Sequence, residues 1–205
     1  VELSVNYNKE FFNKELNWNS TLTYSRNVNE IKELVRGYRN PFTGQLFDIT
    51  EVRKGSTVLR EGGSMSDITV RGVLSRNKNG ELIEEAAQYQ YDQTQEIKLG
   101  RSTPDFQMGW RNTLSFRNID FSFLFNGSFG GIVLSGTQPY LDAYGVSKAS
   151  AEARDAGGVM VNGKLYDAQK YYNTIKKLPG YYSYDATNVR LQEVSLSYSL
   201  DGKHF

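Results

Sequence analysis

The feature that most constrains the fold is a two-residue alternation of apolar and polar side chains over segments of about ten residues. It is clearest in two segments, Gln107–Arg117 and Ile119–Phe129, which meet at the tight connection Arg117-Asn118. A period of two is the signature of β-strands that present one apolar and one polar face. The sequence therefore predicts an antiparallel hairpin. Its apolar positions are Met108, Trp110, Leu114, Phe116, Phe121, Phe123, Phe125 and Phe129.

Three further segments show the same alternation: Val1–Asn8, Asn17–Arg26 and Val189–Leu200. In the last of them, Val194, Leu196, Tyr198 and Leu200 share one parity, whereas Val189 and Leu191 lie on the other. A one-residue change of parity predicts a β-bulge, here near Gln192. A second tight turn is expected at Asp201-Gly202.

Two long intervals separate these strands. The first, Val28 to about Pro104, is charged and rich in turn residues, and we expect loops with hairpins and zero to two additional strands of the main sheet. Within it, Asn79-Gly80 is a type I′ hairpin signal. The second runs from about 130 to 188 and is predicted to be a long loop with two short helices, about 148–156 and 168–177. Ser147 and Asp167 are the expected N-caps, because their side chains can accept hydrogen bonds from the first helical turn.

Composition excludes several functional classes. The 205 residues include no cysteine and one histidine, His204, so a disulfide framework, a thiolate zinc site and a catalytic imidazole are not expected. With 24 Lys and Arg against 23 Asp and Glu, the chain lacks the basic excess of a nucleic-acid-binding protein. No phosphate-binding loop, dinucleotide-binding or metalloprotease motif is present. We therefore expect no enzymatic activity, no cofactor and no metal.

Two environments suit strands with one apolar face. In a soluble, aromatic-rich, glycan-binding β-sandwich, that face packs against a second sheet. In an outer-membrane β-barrel it contacts lipid, and the polar face lines the lumen. Strands of about ten residues, with short turns at one end and long connections at the other, favour the barrel. Because the smallest such barrels have eight strands, we expect five or six strands to be an excerpt of a larger one.

Three blocks of the sequence, in order, resemble the late barrel region of the SusC/RagA family of TonB-dependent outer-membrane transporters of Bacteroidetes. The first combines Leu99–Phe106 with Trp110–Gly131. The second is Leu141–Gly145 with Ala153–Gly158, and the third is Tyr181–Tyr198. The resemblance covers most of the chain, densely from Leu99 to Leu200, and the occurrence of three blocks in family order makes it specific.

The resemblance implies an all-β, antiparallel, up-and-down fold that forms part of a 22-stranded barrel, with residues 1–205 as one partial barrel domain and an open sheet when seen alone. It also implies import of bulky nutrients, usually oligosaccharides and sometimes peptides. The implied partners are a SusD-like surface lipoprotein and the TonB–ExbB–ExbD complex, the latter through segments of the protein outside this chain. A passive porin is the further alternative, which differs by lacking the TonB motor.

Specific residues receive roles on this basis. The expected lipid-facing residues include Trp110, Leu114, Phe116, Phe121, Phe123, Phe125, Leu196 and Tyr198, and the polar rows of the same strands are expected to face the lumen. Contact with substrate or lipoprotein is expected for tyrosines of the long loop, namely Tyr140, Tyr144, Tyr181 and Tyr182. An ion pair of Asp120 with Arg117 or Arg111 is expected near the tight turn. The acidic residues Glu81, Glu84 and Glu85 are expected to form a solvated loop face.

Overall fold

A computed structural model describes residues 1–200 of the chain, so the predicted turn at Asp201-Gly202 lies outside the described residues. The strands are β1 (Glu2–Phe11), β2 (Leu16–Ser25), β3 (Val35–Arg39), β4 (Leu46–Ile49), β5 (Glu51–Lys54), β6 (Thr57–Arg60), β7 (Asp67–Leu74), β8 (Tyr91–Arg101), β9 (Phe106–Phe116), β10 (Ile119–Phe129), β11 (Ile132–Leu134), β12 (Val159–Val161), β13 (Lys164–Tyr166), β14 (Ser183–Asp185) and β15 (Asn188–Tyr198). The helices are α1 (Gln138–Ala143), α2 (Lys148–Asp155) and α3 (Ala168–Ile175), followed by a 3₁₀ helix at Pro179–Tyr182. None of the helices in this part of the chain is both long and apolar enough to span a membrane.

The residues form two compact units, and the first contains the predicted strands. It is an open antiparallel sheet in the order β1-β2-β9-β10-β15, with each strand ten or eleven residues long. The tight turns that join β1 to β2 and β9 to β10 lie at the same end of this sheet, because Phe11, Leu16, Phe116 and Ile119 pair in one row. The direct pairing of β2 with β9 shows that the interval between them contributes no strand to the sheet.

The predicted bulge in β15 is confirmed. Leu124 of β10 pairs with Glu193, and the next residue, Phe125, pairs with Leu191, so Gln192 has no opposite partner. The extra residue returns Leu191 to the apolar row, which explains the change of parity in the sequence.

The second unit comprises residues 30–102 and 132–185. Its main sheet has the order β5-β6-β7-β8, and two-stranded sheets form from β3 and β4, β11 and β14, and β12 and β13. The interval 28–104 contains six strands, and none of them joins the main sheet of the first unit, which agrees with the expected zero to two additional strands of that sheet. Short strands with irregular pairing, such as the shifted register between β7 and β8, carry little alternation for sequence analysis to detect.

The Asn79-Gly80 turn forms, but it is not type I′. Gly80 has a φ of +79°, whereas Asn79 is not among the residues with positive φ. The Gly80 N–H donates to the carbonyl of Asn77, and the Asn77 side chain accepts from the backbone N–H groups of Asn79 and Glu81. This is a type I turn followed by a left-handed glycine, the common three-residue hairpin connection.

The segment 132–185 is not a simple loop, because it shares a hydrophobic core with the hairpin of β7 and β8. The core combines Leu74, Leu82 and Tyr89 from the first part of the unit with Tyr166, Ile175, Leu178 and Tyr182 from the second. Both predicted helices are present, and Ser147 and Asp167 accept N-cap hydrogen bonds from Ser150 and Lys170. Helix α1 is an addition to the sequence expectation; its signal is Pro139 in the first turn.

Candidate functional site

The first candidate surface is the apolar face of the five-stranded sheet. The strand register places the expected lipid-facing residues in cross-strand rows with other apolar residues. One row contains Val5, Leu22, Trp110, Phe125 and Leu191. Many of these side chains are exposed, from 36% for Phe121 to 73% for Leu196. In a soluble β-sandwich these residues would be buried, so their exposure argues against that alternative.

The aromatic side chains on this face contact one another. The ring centroids of Trp110 and Phe123 are 5.7 Å apart at an interplanar angle of 84°, and those of Phe123 and Phe125 are also 5.7 Å apart. Edge-to-face packing is favourable for aromatic rings, and the contact between Trp110 and Phe123 joins β9 to β10. These contacts pack the aromatic rings of β9 and β10 against one another.

Asn112 and Ser20 are polar residues on the apolar face, and each accepts a hydrogen bond from an indole. The Trp18 Nε1–H donates to Asn112 Oδ1 at 3.0 Å, and the Trp110 Nε1–H donates to Ser20 Oγ at 3.0 Å. Asn112 is only 3% exposed. An indole N–H that is shielded from water needs a hydrogen-bond acceptor in the protein. These two hydrogen bonds supply an acceptor for each indole on the apolar face.

The opposite face of the sheet is polar except for Leu124 of β10. Arg111 forms an ion pair with Glu193 at 2.9 Å, and Arg117 pairs with Glu15 at 3.0 Å. The expected pairing of Asp120 with either arginine is therefore wrong. The register explains this, because Glu193 and Arg111 flank the same residue of β10, Leu124, whereas Asp120 lies opposite Ser115 and Ser197.

A hollow of about 480 Å³ lies at the end of this sheet remote from the tight turns. Its lining includes the polar side chains of Thr23, Gln107, Asn126 and Arg190. Gly109 is required here, because a Cβ at that position would lie 2.7 Å from Thr23 Oγ1 and 2.9 Å from Asn126 Oδ1. The polar face thus combines hydroxyl, amide and guanidinium groups around a shallow depression.

The tyrosines expected to contact substrate occupy different environments in the second unit. Tyr140 and Tyr144 are 55% and 74% exposed and remain available for contact. Tyr181 is partly exposed, and its hydroxyl accepts a hydrogen bond from the Leu74 backbone N–H at 3.3 Å. Tyr182 is only 2% exposed and belongs to the core, where burial raises its pKa. Its assignment to substrate contact is therefore wrong.

The acidic residues are solvent-exposed or partly exposed, as expected, and they also form specific contacts. Glu81 accepts from Lys164 Nζ at 2.9 Å, Glu84 contacts Lys170 Nζ, and Glu85 accepts from the Gln88 amide. The hydrogen bond from Lys164 holds the pKa of Glu81 below its usual value. Two of these residues therefore tie the β7–β8 hairpin to the segment that contains α3.

A second charge cluster lies on the β5–β8 sheet. Glu96 accepts hydrogen bonds from Arg60 at 2.6 Å and from Arg71 at 2.8 Å, and it also contacts Arg53. These hydrogen bonds, Arg60 first, lower the pKa of Glu96 to about 2. The cluster stabilises the sheet through charge pairing. Among residues 1–200, no group of three or more acidic, histidine or cysteine side chains is arranged to hold a metal ion.

Comparison with known proteins supports the resemblance seen in the sequence. No protein-family model matches the chain. The chain is 26% identical over 220 residues to TonB-dependent receptor P3 of Formosa agariphila, in an alignment that covers 97% of the chain and 21% of that protein. It is 30% identical over 139 residues to TonB-dependent receptor P26 of the same organism, covering 57% of the chain and 13% of that protein.

The fold is similar to that of a chain in the structure of the RagAB peptide transporter. The TM-score is 0.66 at 14% sequence identity, and the match covers all of this chain and 22% of that chain. The chain thus spans about a fifth or less of the proteins that it matches.

By sequence and by fold, the chain is similar to a segment of a SusC/RagA-like TonB-dependent transporter. Its antiparallel sheets correspond to part of such a barrel. The two relatives are TonB-dependent receptors, which are outer-membrane transporters and not enzymes.

Proposed function

We propose that the chain is a segment of an outer-membrane transporter that imports bulky nutrients, oligosaccharides or peptides, with TonB-coupled energy and a SusD-like lipoprotein. The observation that carries this proposal is the five-stranded sheet, with one face of exposed apolar side chains and one face of polar side chains. A transmembrane barrel strand needs this arrangement, because its two faces meet lipid and lumen.

The proposed lipid contacts are Trp110, Leu114, Phe116, Phe121, Phe123, Phe125, Leu196 and Tyr198. Strands of ten or eleven residues have the length that a tilted strand needs to cross the hydrocarbon layer. Tyr198 lies at the end of β15 near the tight turns, where an amphipathic ring suits the membrane interface. In this assignment the tight turns face the periplasm and the long connections face the cell exterior.

The proposed contacts with substrate or lipoprotein are Tyr140, Tyr144 and Tyr181, which remain at least 40% exposed. Their unit lies in the two long connections, which the barrel arrangement directs outward. The RagAB structure is described as that of a peptide transporter, and the chain's likeness to it supports transport of a large nutrient. The polar hollow beside Arg190 lies on the face assigned to the lumen, where imported material passes.

Site-directed spin labelling tests the assignment of the two faces. The chain has no cysteine, so Phe123→Cys and Ser122→Cys are a matched pair of adjacent positions on opposite faces. In the intact transporter, a label at 123 is expected to be accessible to oxygen dissolved in lipid, and a label at 122 to a water-soluble nickel reagent. Equal accessibility of both labels to the nickel reagent would remove the lipid assignment.

Uptake measurements test the transport step. Cells that carry the intact gene should accumulate the nutrient only when TonB is present and the proton gradient is maintained. Uptake that persists after TonB deletion would identify a passive porin instead. Co-purification with a surface lipoprotein, assayed on the same cells, tests the proposed partner.

A further inference from the structure

A cleft lies between the three helices of the second unit. Its volume is about 270 Å³, just below the ~300–1,000 Å³ of typical small-ligand pockets. The lining includes residues of α1, α2 and α3 and of the turn between α1 and α2. Ser150 of α2 forms a buried part of the wall, and its hydroxyl is fully engaged with Ser147. A cleft of this size suits one ring-sized group.

Arg154 contributes an unpaired cation to the cleft. Its side chain has no ion pair or hydrogen bond with any residue between 1 and 200. The guanidinium lies against Gly145, where a Cβ would be 2.8 Å from Nη1, and this glycine has a φ of +73°. The missing side chain at Gly145 therefore leaves room for the guanidinium at the cleft wall.

A second cation lies against Tyr144, a residue of the same lining. Lys176 Nζ is 5.7 Å from the centroid of the Tyr144 ring, and this lysine also has no carboxylate partner within the described part of the chain. By contrast, Lys164 and Lys170 form ion pairs with glutamates. Two cations without a carboxylate partner among the described residues, Arg154 and Lys176, thus outnumber the single carboxylate of the lining, Asp142, and this excess favours an anionic ligand.

The remaining lining favours a sugar over a peptide side chain. Asp142, Gln169 and Tyr172 supply acceptors and donors for hydroxyl groups, and Tyr144 offers an exposed ring for stacking. Asp142 is 7% exposed and is held by the Gln138 amide at 2.8 Å. The lining contains no leucine, isoleucine, valine, methionine or phenylalanine that would accept an apolar side chain.

We propose that this cleft binds the carboxylate of an acidic sugar residue, with Arg154 as the residue that pairs with it. The planar guanidinium can form two parallel hydrogen bonds with a carboxylate, which a point charge such as lysine cannot reproduce. The inference rests on the proposed import function and deepens it, because it assigns acidic saccharides as the cargo class.

Binding to the intact, detergent-solubilised transporter tests the proposal by isothermal titration calorimetry at low salt. The probes are a disaccharide that ends in glucuronic acid and its neutral glucose counterpart. The parent protein is expected to bind the acidic disaccharide at least tenfold more tightly. Arg154→Gln should abolish this preference, and Arg154→Lys should retain only part of it.

Lys148→Gln is the matched control, because it removes one positive charge from the same helix. The Lys148 side chain is 89% exposed and is paired with Glu152, and it does not line the cleft. Its preference for the acidic disaccharide should equal that of the parent. Equal loss in both variants would indicate a general charge effect and overturn the specific role of Arg154.

Two further outcomes separate the inferences. An acetylated dipeptide with a free carboxylate that binds as tightly as the acidic disaccharide would overturn the assignment to sugars. A parent protein without preference for the acidic probe, in cells whose uptake still requires TonB, would overturn the cleft proposal alone. TonB-independent uptake would instead overturn the proposed function.

Discussion

Replacing Tyr166 by phenylalanine removes one hydroxyl from the core of the second unit and leaves the ring in place. That hydroxyl accepts the backbone N–H of Leu82 at 3.1 Å, and both residues are at most 7% exposed. The Tyr166 ring also packs edge-to-face on Tyr89 at 5.5 Å, a contact that phenylalanine preserves. The substitution therefore isolates a single hydrogen bond between the two halves of this unit.

The expected loss of stability arises because the buried Leu82 N–H has no hydrogen-bond acceptor in the variant. A buried N–H without a partner costs about 1–3 kcal/mol. If the unit opens and recloses rapidly, this cost increases amide exchange at Leu82 by roughly 5- to 150-fold. Hydrogen exchange with mass spectrometry on the intact protein measures this increase in exchange in the peptides that contain Leu82.

Tyr171→Phe is the control for this prediction. Tyr171 packs against the same core, and its hydroxyl has no hydrogen bond among residues 1–200. Its replacement should change Leu82 exchange by less than about twofold, a small fraction of 1 kcal/mol. Unchanged Leu82 protection in Tyr166→Phe would refute the claim that this hydrogen bond joins the two halves.

Three other perturbations test different parts of the molecule. Because Glu96 has its pKa lowered to about 2, its ion pairs should stabilise the fold above about pH 4.5, the ordinary carboxyl range, and lose this effect as the pH falls towards 2. Glu96→Gln should therefore flatten the thermal stability profile in that window. Gly72→Ala should destabilise the protein by about 1–3 kcal/mol, since the added Cβ would lie 2.5 Å from the core residue Leu178. This loss should be larger than that of Gly62→Ala, because at Gly62 the added Cβ meets no neighbouring atom and only the positive φ is unfavourable. Asn112→Leu and Trp18→Phe should each lower thermal stability in detergent, and a double-mutant cycle should show coupling of about 0.6–2 kcal/mol; additive effects would contradict the indole hydrogen bond.

Local pattern was sufficient for the strands of the first unit. The alternation around Phe121 and Phe123 predicted both strands, their turn and the separation of apolar from polar side chains. The parity change at Gln192 predicted the bulge. These features follow from the pleat of a β-strand, which places successive side chains on opposite faces. The sequence of each strand therefore alternates between apolar and polar residues.

The second unit was less visible, because its stability comes from contacts between distant segments. Tyr182 lies in a tyrosine-rich stretch that suggests a binding surface, and only its packing against residues such as Leu74 shows that it is buried. Arg154, unlike Tyr182, has no sequence signal of a binding surface. Only the structure shows that it lies unpaired beside Gly145 in a cleft between three helices.

The amino-acid order by itself determined the strand segments, their two faces and the two helix N-caps, because each depends on a period or hydrogen bond within a few residues. The tertiary structure alone decided which strands are neighbours, which tyrosines are buried and which charges are paired. Glu81 with Lys164, and Arg111 with Glu193, are each separated by more than eighty residues. Such pairs have no local signature in the sequence, because they form only when the tertiary fold brings distant segments together.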